Sequence, residues 1–212
     1  MAKVFKKSLT LALGLIFFFT FYPLKLAQHF YGRLFVNNPV NGVNAGIQEV
    51  FAETFCSVKD AVKILLPEAQ DVTEEVKSFT QEQKKTIAQA AEIKFDPELD
   101  KEYCFSIAKS DGKIIGYAVQ DRVRGKFGVI KYMLALSPDG KVKDVVVLEL
   151  KERRGRPVKD RRFLDQFLGK DIKNPIKLNK DIKGIAGATI SSRSMSNGVR
   201  KMVYVFNEFY KK

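Results

Sequence analysis

Histidine is nearly missing from this 212-residue chain, and His29 is the only one. It lies beside an apolar N-terminal run, so no imidazole remains in the rest of the chain to serve Ser-His-Asp or Cys-His catalysis. Cysteine is almost as scarce: Cys56 and Cys104 stand alone and form no C-x-x-C pair, which excludes a metal centre built on clustered Cys and His ligands. Their surroundings, ETFCSV and EYCFSI, read as a helix start and a strand. That fits two buried thiols, with a single disulfide as the alternative in an extracytoplasmic domain. Acidic residues are too few to balance the basic ones: 24 Asp/Glu against 37 Lys/Arg leave a formal charge of +13. Such an excess first raises nucleic acid as a partner. No helix-turn-helix spacing, zinc-ligand cluster or aromatic RNA-binding signature accompanies it, so no nucleic acid is expected. Anionic lipid or an acidic protein surface fits the charge as well. No long repeat or low-complexity tract is present.

Long apolar runs are lacking with one exception. In MAKVFKKSLTLALGLIFFFTFYPLK, Lys3, Lys6 and Lys7 precede an uncharged stretch from Leu9 to Leu24, and Lys25 closes it. At 1.5 Å per residue the stretch spans about 24 Å, short of the ~30 Å hydrocarbon core. That length suits a short signal anchor or a cleavable signal peptide. Cleavage after Ala27 would put charged Lys25 two positions ahead of the cut, so a retained single-pass anchor over 1–27 is expected. The preceding lysines place the N-terminus in the cytoplasm and the domain outside, in the periplasm, with the chain held at the cell membrane. Residues 28–55 then read as a polar connector, and 56–212 as the folded domain.

Within that domain SVKDAVKILLP spaces Val58, Ala61, Val62 and Leu65 on one helical face, and Pro67 ends it. EEVKSF reads as a strand. TQEQKKTIAQAAEI opens with Thr80 and Gln83 at capping-box spacing. YCFSIA and KIIGYAVQDRV flank an Asp111-Gly112 turn, and FGVIKYMLAL and KVKDVVVLEL flank Pro138-Asp139-Gly140, so two successive β-hairpins are expected. In the last of these strands Val142, Val146, Leu148 and Leu150 would share one face, with Lys141, Lys143 and Glu149 on the other. Asp144, Val145 and Val147 blur that alternation. Four consecutive antiparallel strands predict a sheet buried mainly on one side. From Lys151 to Lys180 the chain carries 11 Lys/Arg against 4 Asp/Glu, with RRFLDQFLG as a short amphipathic helix. SRSMSNGVRKMVYVFNEFY closes the chain with Met195, Val199, Met202, Val203, Phe206 and Tyr210 on one stripe. The fold class is α+β: a twisted antiparallel sheet packed with helices, behind an N-terminal transmembrane or signal-anchor helix.

GIAGATISSRS, residues 184–194, strips the side chains away around one threonine just ahead of that last helix. Gly187 can take positive φ, and small residues let a bulky ligand approach the backbone. With Ser191 and Ser192 as caps, Thr189 would stand immediately outside the positive end of the helix, where a bound or esterified phosphate is stabilised by the free amides. An ordinary glycine turn before a serine-capped helix is the competing explanation.

GIAGATISS resembles the flavinylation motif of the FMN-binding domain family, which includes the flavin-bearing subunits of Rnf-type and sodium-pumping NADH:quinone oxidoreductase complexes. GYAVQDRV, the DGKV turn, LELKERRG and FLDQFLGKDI extend the resemblance over about residues 100–210. It implies FMN joined through its phosphate to the Thr189 hydroxyl by a flavin transferase, with Gly187, Ala188, Ile190, Ser191 and Ser192 around the attachment point. Glu152 and Gly155 match the family's Glu-Thr-Pro-Gly-like loop, where Arg153 and Arg154 replace the Thr-Pro pair and would raise the flavin potential if they face the ring. Ala186 stands for the usual serine. Lys183 occupies a commonly acidic position, with Asp181 two residues earlier. The implied activity is electron relay rather than independent catalysis, with a cytochrome or membrane oxidoreductase as redox partner. Two other functions fit the same residues: a membrane-anchored docking module with noncovalent or no flavin, and a flavin-dependent terminal reductase.

Overall fold

The computed structural model describes residues 53–151 and 155–211. The expected anchor over 1–27 and nearly all of the connector lie outside them. No helix among the described residues is long and apolar enough to cross a membrane.

Local signals set the first elements. A two-residue strand β1 (Glu53–Thr54) precedes helix α1 (Val58–Leu65). The Ser57 side chain accepts the Asp60 amide at the start of α1, satisfying a donor that the helix cannot. Strand β2 (Asp71–Ser78) leads to α2 (Gln81–Ala91), whose capping box is complete: Gln83 N–H bonds Thr80 Oγ1 at 3.1 Å and Thr80 N–H bonds Gln83 Oε1 at 3.0 Å. Strands β3 (Glu102–Ser110) and β4 (Lys113–Arg124) meet at Asp111 (φ 50°) and Gly112 (φ 72°), the two left-handed residues of a hairpin turn. Strands β5 (Val129–Leu136) and β6 (Val142–Leu150) complete the second hairpin. A 3₁₀ turn (Arg156–Lys159), the short helix α3 (Arg161–Leu164), another 3₁₀ turn (Asp165–Phe167) and the long helix α4 (Thr189–Tyr210) follow.

The strands form one antiparallel sheet in the order β1-β6-β5-β4-β3-β2, so the fold is α+β as expected. Both faces are covered, however, rather than mainly one. Helix α4 lays Met195, Val199, Met202, Val203 and Phe206 on one face, against Phe105, Val119, Ile130, Leu134 and their neighbours. Helix α1 packs Ala61, Val62 and Leu65 on the other, over Ala108, Ala118, Met133, Ala135 and Leu148. The alanines let α1 approach: at Gly116, in the same layer, a Cβ would stand 2.8 Å from Leu66 Cδ2.

The expected facing of β6 is corrected for the same reason. Its pairing with β5 slips at two bulges, between Lys131 and Tyr132 and between Ala135 and Leu136. Each bulge inserts one residue into β6 and flips the side-chain parity. Val142, Val145, Val147 and Leu150 therefore face α4, whereas Val146 and Leu148 face α1. Cys56 is half-buried and Cys104 exposed, both as free thiols, so the expectation of two buried thiols fails and no disulfide joins them.

Arg200, on α4, ties the helical layer together. It is 5% exposed, and its guanidinium donates to Ala91 O (2.6 Å), Glu92 O (3.2 Å) and Ile176 O (3.0 Å). The first two are carbonyls at the C-terminus of α2, which has no basic residue of its own in its last turn. Arg200→Met should therefore cost about 2–4 kcal/mol in urea unfolding, since each buried carbonyl left without a donor costs on the order of 1 kcal/mol or more. A loss below ~0.5 kcal/mol, the level of an ordinary surface change, would show that the carbonyls do not need it.

Candidate functional site

Thr189 is the first residue of α4, not the residue outside it. The N-cap is Ala188 (φ −125°), which makes no side-chain cap bond. The first helical bond of α4 runs from Ser192 N–H to Ala188 O at 2.9 Å, so the amides of Thr189, Ile190 and Ser191 precede the helical ladder. Thr189 is exposed, Ile190 is 50% exposed, and among the described residues no hydrogen bond holds the Thr189 hydroxyl. An uncapped helix start with outward amides and an exposed hydroxyl is suited to hold a phosphate.

The two serines expected as caps do something else. Ser191 and Ser192 are 1% and 0% exposed, inside the first turn. Ser192 Oγ donates to Ala188 O at 3.0 Å and accepts Ile185 N–H at 3.2 Å. It thereby folds the preceding loop onto the helix. Ala188 N–H bonds Ile185 O at 3.0 Å, closing a turn whose third residue, Gly187, has φ 77° with open space where a Cβ would project. Only glycine takes that conformation without strain. Ser192→Ala should cost on the order of 1 kcal/mol by orphaning the Ile185 amide. Ser191→Ala, which breaks no such bridge, should move the thermal midpoint less. Equal effects would assign the loop's order elsewhere.

The remaining loop is held from both sides. Gln166 accepts Lys183 N–H (2.7 Å) and donates to Lys183 O (3.2 Å), leaving the Lys183 side chain exposed. Asp181 accepts the amides of Ile176 (3.1 Å) and Lys177 (2.8 Å) and pairs with Lys170 at 2.9 Å. Burial opposes its charge, yet Lys170 and the two amides hold its carboxyl below the ordinary range. Asp181 is thus engaged in folding the loop rather than displayed beside the threonine.

Two further loops reach the same end of the sheet. Ser194 Oγ, in the second turn of α4, donates to Arg124 O at 2.6 Å. Residues 125–128 link β4 to β5 there, closed by Gly125 N–H to Gly128 O at 2.7 Å. At Gly128 a Cβ would stand 2.6 Å from Lys151 Cβ, so this turn abuts Lys151. Glu152, Arg153 and Arg154 lie outside the described residues. Gly155 is buried, and the 3₁₀ turn that follows it packs against β6 and α4. Of the candidate positions, the structure brings Gly187, Ala188, Thr189 and Ile190 to one exposed helix start and puts the two serines beneath it. Sequence reasoning passed over Ser194 and the Arg124 carbonyl that it holds. The Gly-x-x-Gly spacing at 125–128 was the available signal.

The described residues contain no cluster of His, Cys, Asp or Glu able to hold a metal ion. Residues 125–204 match the FMN-binding domain family. Over 115 residues the chain is 28% identical to one of the subunits of the Na(+)-translocating ferredoxin:NAD(+) oxidoreductase complex of Acetobacterium woodii, covering 50% of this chain and 56% of that protein. Over 103 residues it is 32% identical to one of the subunits of the proton-translocating ferredoxin:NAD(+) oxidoreductase complex of Clostridium ljungdahlii, covering 45% and 56%. The chain thus spans about half the length of these curated relatives. The crystal structure of one of the Na(+)-translocating NADH-quinone reductase subunits, from Parabacteroides distasonis, aligns with a TM-score of 0.48 at 16% identity, over 74% of this chain and 85% of that one. The 125–128 turn, the Gly155 turn and the whole of GIAGATISS lie inside the stretch that matches the FMN-binding domain family.

Proposed function

We propose that this chain is a membrane-anchored extracytoplasmic flavoprotein that relays electrons through FMN attached by a phosphoester to Thr189. One observation carries the reading: the exposed Thr189 hydroxyl stands at the uncapped start of α4, directly after a left-handed Gly187 and Ala188. The residues fit the group. Outward amides of the first turn receive the phosphate charge, and Gly187 with Ala188 leaves the approach clear. When bound, FMN supplies one- and two-electron chemistry, and the protein sets its orientation and potential.

The chain's own residues hold the phosphate end in place and keep the cofactor from diffusing into a compartment without an FMN supply. Arg153 and Arg154, between Lys151 and Gly155 in the sequence, add positive charge and raise the potential if they face the ring. A flavin transferase is the maturation partner. A cytochrome or membrane oxidoreductase is the redox partner, docking by charge on the basic 151–180 segment.

The test is the intact mass of the full chain made alongside a flavin transferase, read with flavin fluorescence on a denaturing gel. A mass raised by one covalently bound FMN is expected. An unmodified mass with flavin lost on denaturation would replace the covalent reading with a noncovalent one. No flavin in either state would leave a docking module.

A further inference from the structure

Strand β2 ends the six-stranded sheet, with β3 on one side and, among the described residues, no strand on the other. It runs through Asp71–Ser78 without a proline, and no bulge interrupts its pairing with β3. Edge strands are commonly kept short, bulged or broken by proline, because an open row of backbone donors and acceptors recruits another strand. None of these guards is present on β2. The strand also displays apolar side chains. Val72 and Val76 are 40% and 60% exposed, and Val76 is the most exposed large apolar side chain among the described residues. They stand opposite Ala108 and Cys104 of β3, on the face of the sheet that carries α1. Helix α1 packs there over β4, β5 and β6 and leaves the two valines in water.

The charge of this edge runs against that of the molecule. Residues 53–124 hold 14 Asp/Glu against 11 Lys/Arg, whereas residues 125–212 hold 9 against 21. The one lysine of β2 is turned to the α4 side, where Lys77 pairs with Glu75 at 2.6 Å and lies over the rings of Phe209 and Tyr210. Glu75 also accepts the Tyr210 hydroxyl at 2.7 Å. Glu74 shares the face of Val72 and Val76, is exposed, and pairs with no cation among the described residues. Glu102, opposite Ser78, adds a second exposed carboxylate to that face. Burial first, then the charges of Glu74 and Glu102, push the Cys104 thiol between them up. The exposed face of the edge thus reads apolar, acidic, apolar at positions 72, 74 and 76.

We infer that the outer edge of β2 takes an extended basic segment of a partner protein as a seventh strand, with apolar side chains over Val72 and Val76 and a Lys or Arg against Glu74. Main-chain hydrogen bonds to the open edge would hold such a segment, and its alternate side chains would select it. Every second residue of a strand faces the same side, so the matching pattern is apolar-x-basic-x-apolar, which reads alike in either direction. A second copy of this chain is the poorer occupant. Antiparallel pairing of two β2 strands about their centres sets Glu74 of one against Glu75 of the other, and like charges directly opposite are destabilising.

The test uses the full chain in detergent micelles and the synthetic peptide acetyl-TVTKTVT-amide, with acetyl-TVTETVT-amide as its charge-reversed control. Amide hydrogen exchange of the 71–78 segment is followed by mass spectrometry as peptide is added. The lysine peptide should slow exchange over this segment, and the glutamate peptide should bind about tenfold more weakly or worse. Glu74→Lys, at an exposed position, should reverse that order. A lysine peptide N-methylated on every residue keeps the charge but loses its backbone donors, and it should give no protection. No slowing at millimolar lysine peptide, equal slowing by both charges, or slowing by the N-methylated peptide overturns the inference. Protection of the whole segment before any peptide is added overturns it in favour of the chain's own residues, and protection that rises only with protein concentration overturns it in favour of a second copy.

Discussion

Thr189→Val should abolish covalent FMN while the domain folds as before. Valine keeps the β-branched shape of threonine and removes only the hydroxyl, and the two residues have similar helix propensities. Thr189 is exposed and no hydrogen bond among the described residues depends on its oxygen, so the change should stay within about 0.5 kcal/mol, as for ordinary surface substitutions. The neighbouring hydroxyls cannot take over. Ser191 and Ser192 are 1% and 0% exposed, and Ser192 is committed to Ala188 and Ile185. A transferase cannot reach an oxygen inside the first turn without unwinding it. Intact mass and denaturing-gel fluorescence check the result, with unfolding in urea as the control for the fold. Persistence of the full FMN mass in Thr189→Val would move the attachment to another residue.

The second large effect lies about three turns further along α4, at 3.6 residues per turn. Lys201, 4% exposed, reaches Asp100 at 2.5 Å and Asp121 at 3.0 Å. Tyr103 donates to Asp100 at 2.7 Å, Tyr132 donates to Asp121 at 2.6 Å, and Asp96 N–H donates to the other oxygen of Asp100. Two buried carboxylates thus share one ammonium. Burial pushes the Asp121 carboxyl above its ordinary range, with the Lys201 charge and the Tyr132 hydroxyl opposing it. Beside it, α4 comes so close that a Cβ at Gly198 would stand 2.6 Å from the Tyr132 hydroxyl.

Lys201→Met keeps the length of the side chain and removes the charge, leaving both carboxylates uncompensated. Removing one partner of a buried ion pair costs about 3–5 kcal/mol. The pH dependence has a definite sign. A carboxyl whose folded pKa lies above the unfolded value of about 3.9 binds its proton more tightly in the native state. Its contribution to stability is present in acid and is lost as pH rises through the folded pKa. The deficit of Lys201→Met relative to wild type should therefore be smallest near the unfolded carboxyl pKa and largest at neutrality. Denaturant titrations across that range provide the check, and a deficit independent of pH would mean that packing, not charge, is what Lys201 supplies.

Short-range chemistry was readable without coordinates. Ser57, the Thr80–Gln83 box and the Asp111-Gly112 turn act within three or four residues, so their spacing alone predicts where helices start and hairpins close. The stripe of Met195, Val199, Met202, Val203 and Phe206 was equally plain, because a helix buries one face at a constant period. The GIAGATISS stretch pointed to Thr189 as the residue of interest.

Other features depend on partners far along the chain. The facing of β6 escaped prediction because alternation assumes an unbroken pleat, and the two bulges are set by pairing with β5. Ser191 and Ser192 looked like caps because serine caps helices, but the helix runs back to Thr189 once Ser192 finds Ile185. Nothing in the local spacing of Lys201, Asp100 and Asp121 links them; they are buried together only because α4, the loop before β3 and β4 converge, across separations of 80 and 101 residues. The class of fold and the order of its main elements follow from the amino-acid order alone, since they rest on local periodicity and capping. Which serines are hidden, which charges are buried and which loops flank Thr189 follow only from the packed molecule, because burial and long-range hydrogen bonding exist only after distant segments meet.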